Sequence, residues 1–111
     1  MDVTVSTTDQ VTVFVIRGSV DGLTAERLLA VMDEHVSGGA TRLVADFSAL
    51  EYTSSAGLRA LLSTVKRARS LGGDLRLAAV RPQVLRVLDL SGFTSILKLY
   101  DDVPGAIASY A

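Results

Sequence analysis

RLVADFSALEYTSSAGLRALLSTVKRARSLGGDLRLAAV, residues 42–80, is the stretch that decides the fold. It opens on Leu43, Val44, Ala45 and Phe47, a short apolar run of the kind found in a strand covered on both faces. After a loop, Leu58, Leu61, Leu62, Val65 and Ala68 recur at i, i+3, i+4, i+7 and i+10, the apolar stripe of an amphipathic helix. Gly72-Gly73 stops that helix, and Leu75, Leu77 and Ala79 then alternate as a second strand from Asp74 to Val80. Strand, helix and strand in succession with short links argue for an α/β fold with a largely parallel sheet.

The flanking sequence extends the same pattern. Upstream, Val3 and Val5 form one alternating run, and Val11, Val13 and Val15 form a second with Phe14 and Ile16 opposite. The polar Thr7-Thr8-Asp9-Gln10 separates them, which predicts a hairpin whose second strand lies deeper in the sheet. Beyond Gly18, the spacing of Ala25, Leu28, Leu29, Met32 and Val36 predicts a helix with Thr24 as N-cap and Gly38-Gly39 as its stop. Downstream, Pro82 opens a short helix through Leu85 and Leu88 that Gly92 ends. A strand over 96–100 follows, then Asp101-Asp102 as a capping pair and a terminal helix with Pro104 near its start and Val103, Ala106, Ile107 and Tyr110 apolar. The predicted order is ββαβαβαβα in one domain, residues 1–111, with a mixed, largely parallel sheet and helices packed on it. Its core is expected to hold Val13, Val15, Leu28, Met32, Val44, Leu61, Leu62, Val65, Leu77 and Leu88.

Composition narrows the function. A chain of 111 residues, 49% apolar and 21% charged, has room for one core and buries roughly two-thirds of its surface. The formal net charge is −1, which removes the positive balance that non-specific nucleic-acid binding draws on; no direct nucleic-acid partner is expected. With no cysteine there is no disulfide framework and no thiolate chemistry, which fits a reducing compartment. Mean hydropathy is +0.38, yet no run approaches the about 20 apolar residues of a membrane span. Met1-Asp2-Val3-Thr4 opens with an acid where a signal peptide is basic. A cytoplasmic domain without membrane insertion is expected, as a monomer, with a dimer left open.

Most catalytic readings fail for want of residue types. His35 is the only histidine, so no histidine cluster can hold a metal, and no Gly-x-Ser-x-Gly elbow presents a nucleophile. Gly72-Gly73 follows a helix and precedes a strand, the reverse of a phosphate-cradling loop. Asp46 and Glu51 could form an acid/base pair, but no electrophile or cofactor signature accompanies them. No enzyme, cofactor or metal is expected. The charges are segregated: residues 53–98 hold eight basic side chains against two acidic ones, and residues 1–52 hold three against eight. A two-signed surface suits docking to another protein.

One segment stands out. Thr53, Ser54 and Ser55 put three hydroxyls in a row at the start of the helix in 58–68, where the first backbone N–H groups lack partners and an anion is welcome. Capping needs only one of them, at about 1 kcal/mol. Ser55, Arg59, Ser63, Lys66 and Ser70 continue as a polar stripe opposite the apolar one, so Ser55 is expected to face out. Gly57 within the first turn costs roughly 1 kcal/mol relative to Ala, and its bare backbone is expected to admit another surface.

Three segments together carry a resemblance: Gly18 to Glu26, Asp46 to Leu58, and Leu88-Asp89-Leu90-Ser91-Gly92-Phe93. The chain resembles, over nearly its whole length, the STAS domain family, in particular bacterial anti-sigma factor antagonists. Members share an Asp-Ser-(Ser/Thr)-Gly-Leu motif whose first Ser is phosphorylated by a partner that is both anti-sigma factor and serine kinase. By position Ser54 stands where the Asp would be, Ser55 at the phosphoacceptor and Ala56 at the second hydroxyl, while Gly57-Leu58 match. Asp21 matches an acidic family position near the acceptor. The resemblance implies a regulator of transcription working by partner switching, with the surface at Asp21, Thr24, Thr53, Ser54, Ser55, Ala56, Gly57, Leu58 and Arg59 docking an anti-sigma factor with serine kinase activity. The missing Asp keeps a second role open, an accessory subunit of a membrane lipid-transport or other transporter complex that is not phosphorylated.

Overall fold

The computed structural model describes residues 1–111. Strands β1 (Asp2–Thr8) and β2 (Val11–Val20) form the antiparallel hairpin, with Thr8 opposite Val11. Asp9 and Gln10 therefore make a two-residue turn, both with positive φ (50° and 66°), the backbone that matches the twist of a tight hairpin. Then follow α1 (Gly22–Ser37), β3 (Arg42–Asp46), β4 (Leu50–Thr53), α2 (Ser55–Ser70), β5 (Asp74–Ala78), α3 (Pro82–Leu90), a 3-10 turn (Phe93–Ser95), β6 (Leu99–Tyr100) and α4 (Val103–Ala108). The order is the one expected, with one strand more.

The additional strand is β4, in the segment that reads as loop. Only its two ends, Leu50 and Thr53, are buried, so it carries no alternation. Its pairing is decided elsewhere, by the length of β2. That strand has ten residues and lies parallel to β3 along Thr12–Val15, then to β4 along Gly18–Val20. The sheet runs β1-β2-β3-β5-β6 with β4 beside the far end of β2, and every pairing except β1–β2 is parallel.

Alternation along β2 divides the interior. Phe14 and Ile16 enter the main core with Leu28 and Met32 of α1, Leu61 and Val65 of α2 and Leu88 of α3. Val11 and Val13 face the other way, against Val44, Ala78 and Ala106 of α4. Two expected core residues are only half-buried. Val15 lies on the face covered by α4, whose six residues are too few to roof the whole of it. Leu62 packs against the main core from the flank of α2 while Leu61 points into it.

Several boundaries differ from expectation; β5, for one, ends at Ala78 instead of Val80, with Ala79 taking a positive φ of 57°. The N-cap of α1 is Asp21, whose carboxylate accepts the Thr24 N–H, while Thr24 answers from the first turn by accepting the Asp21 N–H at 2.8 Å. This is a reciprocal capping box rather than a threonine cap. The final strand shrinks from 96–100 to Leu99–Tyr100, because the N–H groups of Ile96 and Leu97 both bond back to Phe93 O and keep the chain curled. The terminal helix stops at Ala108, leaving Tyr110 beyond it.

That tyrosine ties α4's end to the sheet. Its hydroxyl lies 2.7 Å from Leu43 O and 2.8 Å from Asp74 O and accepts the Leu43 N–H at 3.2 Å, so it bridges β3 and β5. The Arg76 guanidinium stacks 3.9 Å above its ring. Arg76 Nε and Arg69 Nε in turn donate to the buried carboxylate of Asp74 at 3.1 and 2.9 Å. Burial pushes the Tyr110 hydroxyl up to about 12.

Candidate functional site at the paired helix starts

The parallel pairing of β2 with β4 brings two helix starts together. Val20 is in register with Thr53, and the Ser54 N–H donates to Val20 O at 2.8 Å. The next residue on one strand is Asp21, which caps α1, and on the other Ser54 itself caps α2. Both helices thus start at the carboxyl ends of neighbouring parallel strands and pack against each other. The carboxyl ends of parallel strands are the end of an open α/β sheet at which ligands bind.

The geometry separates the three adjacent hydroxyls. Thr53 is 3% exposed, and its Oγ1 donates to Ser54 O at 3.3 Å. Ser54 is half-buried, and its Oγ accepts the Gly57 N–H at 3.2 Å, filling the cap. Ser55, the first residue of α2, is exposed and its hydroxyl has no partner within the chain. The expected polar stripe is present, since Arg59, Ser63, Lys66 and Ser70 are all exposed with Ser55.

Asp21 sits across from this hydroxyl run. Its Oδ1 accepts the Thr24 N–H at 2.8 Å and the Thr24 hydroxyl at 3.0 Å. The backbone hydrogen bond from Thr24, with the hydroxyl bond second, holds its carboxyl below the ordinary aspartate value.

Gly57 corrects an expectation. It is buried, and a Cβ there would run into Thr53 Oγ1 and come within 2.9 Å of Val20 Cγ1. The glycine is demanded from inside, by the closeness of α2 to β2 and β4, and not by an approaching partner. Leu58, 3% exposed, likewise belongs to the core. Thr53, Gly57 and Leu58 therefore form the support under the expected docking residues, while Asp21, Ser55 and Arg59 are exposed and Thr24, Ser54 and Ala56 are half-buried.

A shallow groove runs from here between the helices, with Gly22, Ala25 and Glu26 of α1 on one side and Ala56, Arg59 and Ser63 of α2 on the other. Two large apolar residues stand exposed at the same end, Leu23 (80%) in the first turn of α1 and Tyr52 (53%) just before the hydroxyl run. Sequence reading missed both. Leu23 had a signal, since it falls off the apolar stripe of its helix; Tyr52 had none, because its segment reads as loop.

The other candidates are accounted for within the fold. Asp46 accepts the Ser48 N–H at 2.9 Å in its own turn. His35 lies half-buried with Nδ1 2.9 Å from Val31 O and its ring edge-on to Phe14. No helix is long and apolar enough to cross a membrane.

Comparison with known proteins accords with this geometry. Residues 2–106 match the family model of the STAS domain. BtrV of Bordetella bronchiseptica, named as a candidate anti-sigma factor antagonist, is 34% identical over 110 residues, 99% of this chain and 95% of that protein. The anti-sigma F factor antagonist of Paenibacillus polymyxa is 30% identical over 91 residues, covering 81% of this chain and 78% of its own. Among solved structures, the anti-sigma factor antagonist SpoIIAA in its unphosphorylated form superposes with a TM-score of 0.86 at 21% identity, covering 98% of this chain and 96% of that one. Its phosphorylated form, from Bacillus, gives 0.78 at 20%, covering 99% and 100%. At those identities the likeness to SpoIIAA is one of fold.

Proposed function

The chain belongs to the STAS domain family, and from that premise we propose that it is an anti-sigma factor antagonist, controlled by phosphorylation of Ser55. In this reading the unphosphorylated protein docks an anti-sigma factor that is also a serine kinase, in the cytoplasm, and so frees the sigma factor. Phosphate on Ser55 reverses the docking. The role asks for recognition from this chain and for chemistry from its partner.

The observation that carries the reading is the sorting of the three hydroxyls. Thr53 is buried and Ser54 is engaged as a cap, so Ser55 alone is free and exposed. A kinase needs such a hydroxyl. A phosphate there adds about −1.5 to −2 charges at the centre of the docking surface. The exposed Leu23 and Tyr52 supply apolar contact around it, and a dianion among apolar contacts carries a desolvation penalty that opposes docking. In the free domain the same group lies at the start of α2, where the helix dipole favours it.

Ser54 in the place of the family's Asp is compatible with this role. Asp and Ser serve almost equally well as N-caps. The replacement preserves the capping bond to Gly57 and removes one carboxylate beside the acceptor.

The test is incubation of the wild-type chain, Ser55→Ala, Ser55→Asp and Ser54→Ala with ATP and the anti-sigma factor kinase of its source, with phosphate mapped by mass spectrometry and affinity measured by calorimetry. Phosphate on Ser55 alone, constitutive binding by Ser55→Ala and weakened binding by Ser55→Asp are expected. Ser54→Ala should lose about 1 kcal/mol of stability and keep its affinity. Phosphate mapped to another residue, or Ser55→Asp binding as tightly as wild type, overturns the reading and favours the transporter-subunit role.

A further inference from the structure

We infer that Arg59 is the residue through which a phosphate on Ser55 acts: it pairs with that phosphate along α2 and is thereby withdrawn from the groove between α1 and α2. This rests on the reading of Ser55 as phosphoacceptor.

Ser55 and Arg59 are four residues apart on the exposed stripe of α2, a spacing that sets Cβ atoms about 5–6 Å apart. A phosphoserine and an arginine reach across that distance, offering acceptor oxygens on one side and a planar fork of donors on the other. Ser55 precedes Arg59, the orientation in which an acid N-terminal to a base is favoured on a helix.

What distinguishes Arg59 is that the fold makes no use of it. The other two arginines of α2 are held: Arg67 by Asp33 at 3.1 Å and Ser37 at 2.9 Å, Arg69 by Asp74 at 2.9 Å and Ile96 O at 2.8 Å. Arg59 makes neither an ion pair nor a side-chain hydrogen bond, although Glu26 lines the same groove. Lys66 is also free, but it is eleven residues from Ser55, about 16 Å along the helix axis and out of reach. The other ionisable groups on the elements beside Ser55 include Asp21, which caps α1, Glu26 of α1, Glu51 of β4, and Arg86 and Asp89 of α3, which packs on β4. Arg27 of α1 lies on the side of its helix turned away from Gly22, Ala25 and Glu26, the residues that meet the groove.

Among the cations of α1 and α2, Arg59 is therefore the one placed to answer a phosphate, and the small side chains around it, Ala56 and Ala60, leave its guanidinium open to the groove. Unphosphorylated, the groove presents Arg59 to a partner opposite Glu26. Once Ser55 carries a phosphate, the guanidinium turns to it, so a single modification both adds negative charge and removes the positive charge that a partner's acidic group would meet.

The experiment uses the full chain with phosphoserine installed at residue 55 by genetic encoding, so no kinase or partner is needed. The phosphate is titrated by 31P NMR in otherwise wild-type protein and in Arg59→Gln, Arg59→Lys and Lys66→Gln. The helix start, Asp21 and Glu26 are common to all four, so differences report the paired side chain. The second ionisation, ordinarily near pH 6, is expected about 0.2 to 0.4 pH unit lower with Arg59 present than in Arg59→Gln. Arg59→Lys should keep part of the shift, Lys66→Gln should keep all of it, and 1 M salt should shrink it. Equal titration of wild type and Arg59→Gln, or an equal displacement by Lys66→Gln, overturns the inference. A kinase that leaves Ser55 unmodified would refute the function proposed above while leaving this titration to be judged by itself.

Discussion

Gly57→Ala separates two accounts of the start of α2. If the glycine served only to admit a partner, alanine would be neutral or stabilising, since Ala is favoured over Gly within a helix by up to about 1 kcal/mol. The packing predicts the opposite. A Cβ at residue 57 would collide with Thr53 Oγ1 and lie 2.9 Å from Val20 Cγ1, and Val20 is 1% exposed with no free space to retreat into. Overpacking of this kind costs about 1–3 kcal/mol, so after the full propensity gain a net loss of up to about 2 kcal/mol is expected, against a typical stability of about 5–15 kcal/mol. Urea unfolding of wild type, Gly57→Ala, Thr53→Ala and the double variant measures it. Removing the Thr53 side chain opens the space the new methyl needs, so the double variant should be more stable than the sum of the single losses predicts, by about 0.5 kcal/mol or more. Strict additivity, or a stabilised Gly57→Ala, would refute the packing argument.

The two adjacent leucines of α2 should differ: Leu61→Ala, at a buried site, should cost about 2–5 kcal/mol in urea unfolding, and half-buried Leu62→Ala distinctly less. Tyr110 should titrate near 12 against an unfolded value near 10, so the folded state holds its proton where the unfolded state has lost it. Its contribution to stability is thus full below pH 10 and lost as pH rises from 10 to 12, which ultraviolet titration and unfolding across that range check, with Tyr110→Phe abolishing the tyrosinate signal of this residue.

The charge segregation shows how far sequence reading carries and where it stops. The basic excess of residues 53–98 is real, but several of its members serve the fold. Arg67 links α2 to Asp33 of α1, while Arg69 and Arg76 converge on Asp74. Arg81 donates to Ser48 O at 2.8 Å, fastening the entry of α3 to the turn before β4. What remains for a partner is a smaller set in which Arg59 adjoins Ser55. No count of charges could have distinguished these: Asp33 and Ser48 are far in sequence from Arg67 and Arg81, and Arg69 meets the nearer Asp74 only once α2 docks on the sheet.

The amino-acid sequence by itself determined the elements and their faces. Periodicity is a local property, so the stripe of Leu58, Leu61 and Val65, the opposite faces of Val13 and Phe14, and the outward stripe beginning at Ser55 could all be read along the chain and hold in three dimensions. The hydroxyl run was likewise visible as a candidate site. Tertiary structure decided what each hydroxyl does. The parallel pairing of β2 with β4 buries Thr53, commits Ser54 to the cap and leaves Ser55 free. The same pairing created a strand with no pattern of its own, turned Gly57 from a presumed contact into a packing necessity, and set Asp21 beside Ser54. Each of these depends on how far β2 outruns β3, a long-range register that is fixed only when the two helices and the sheet are packed together.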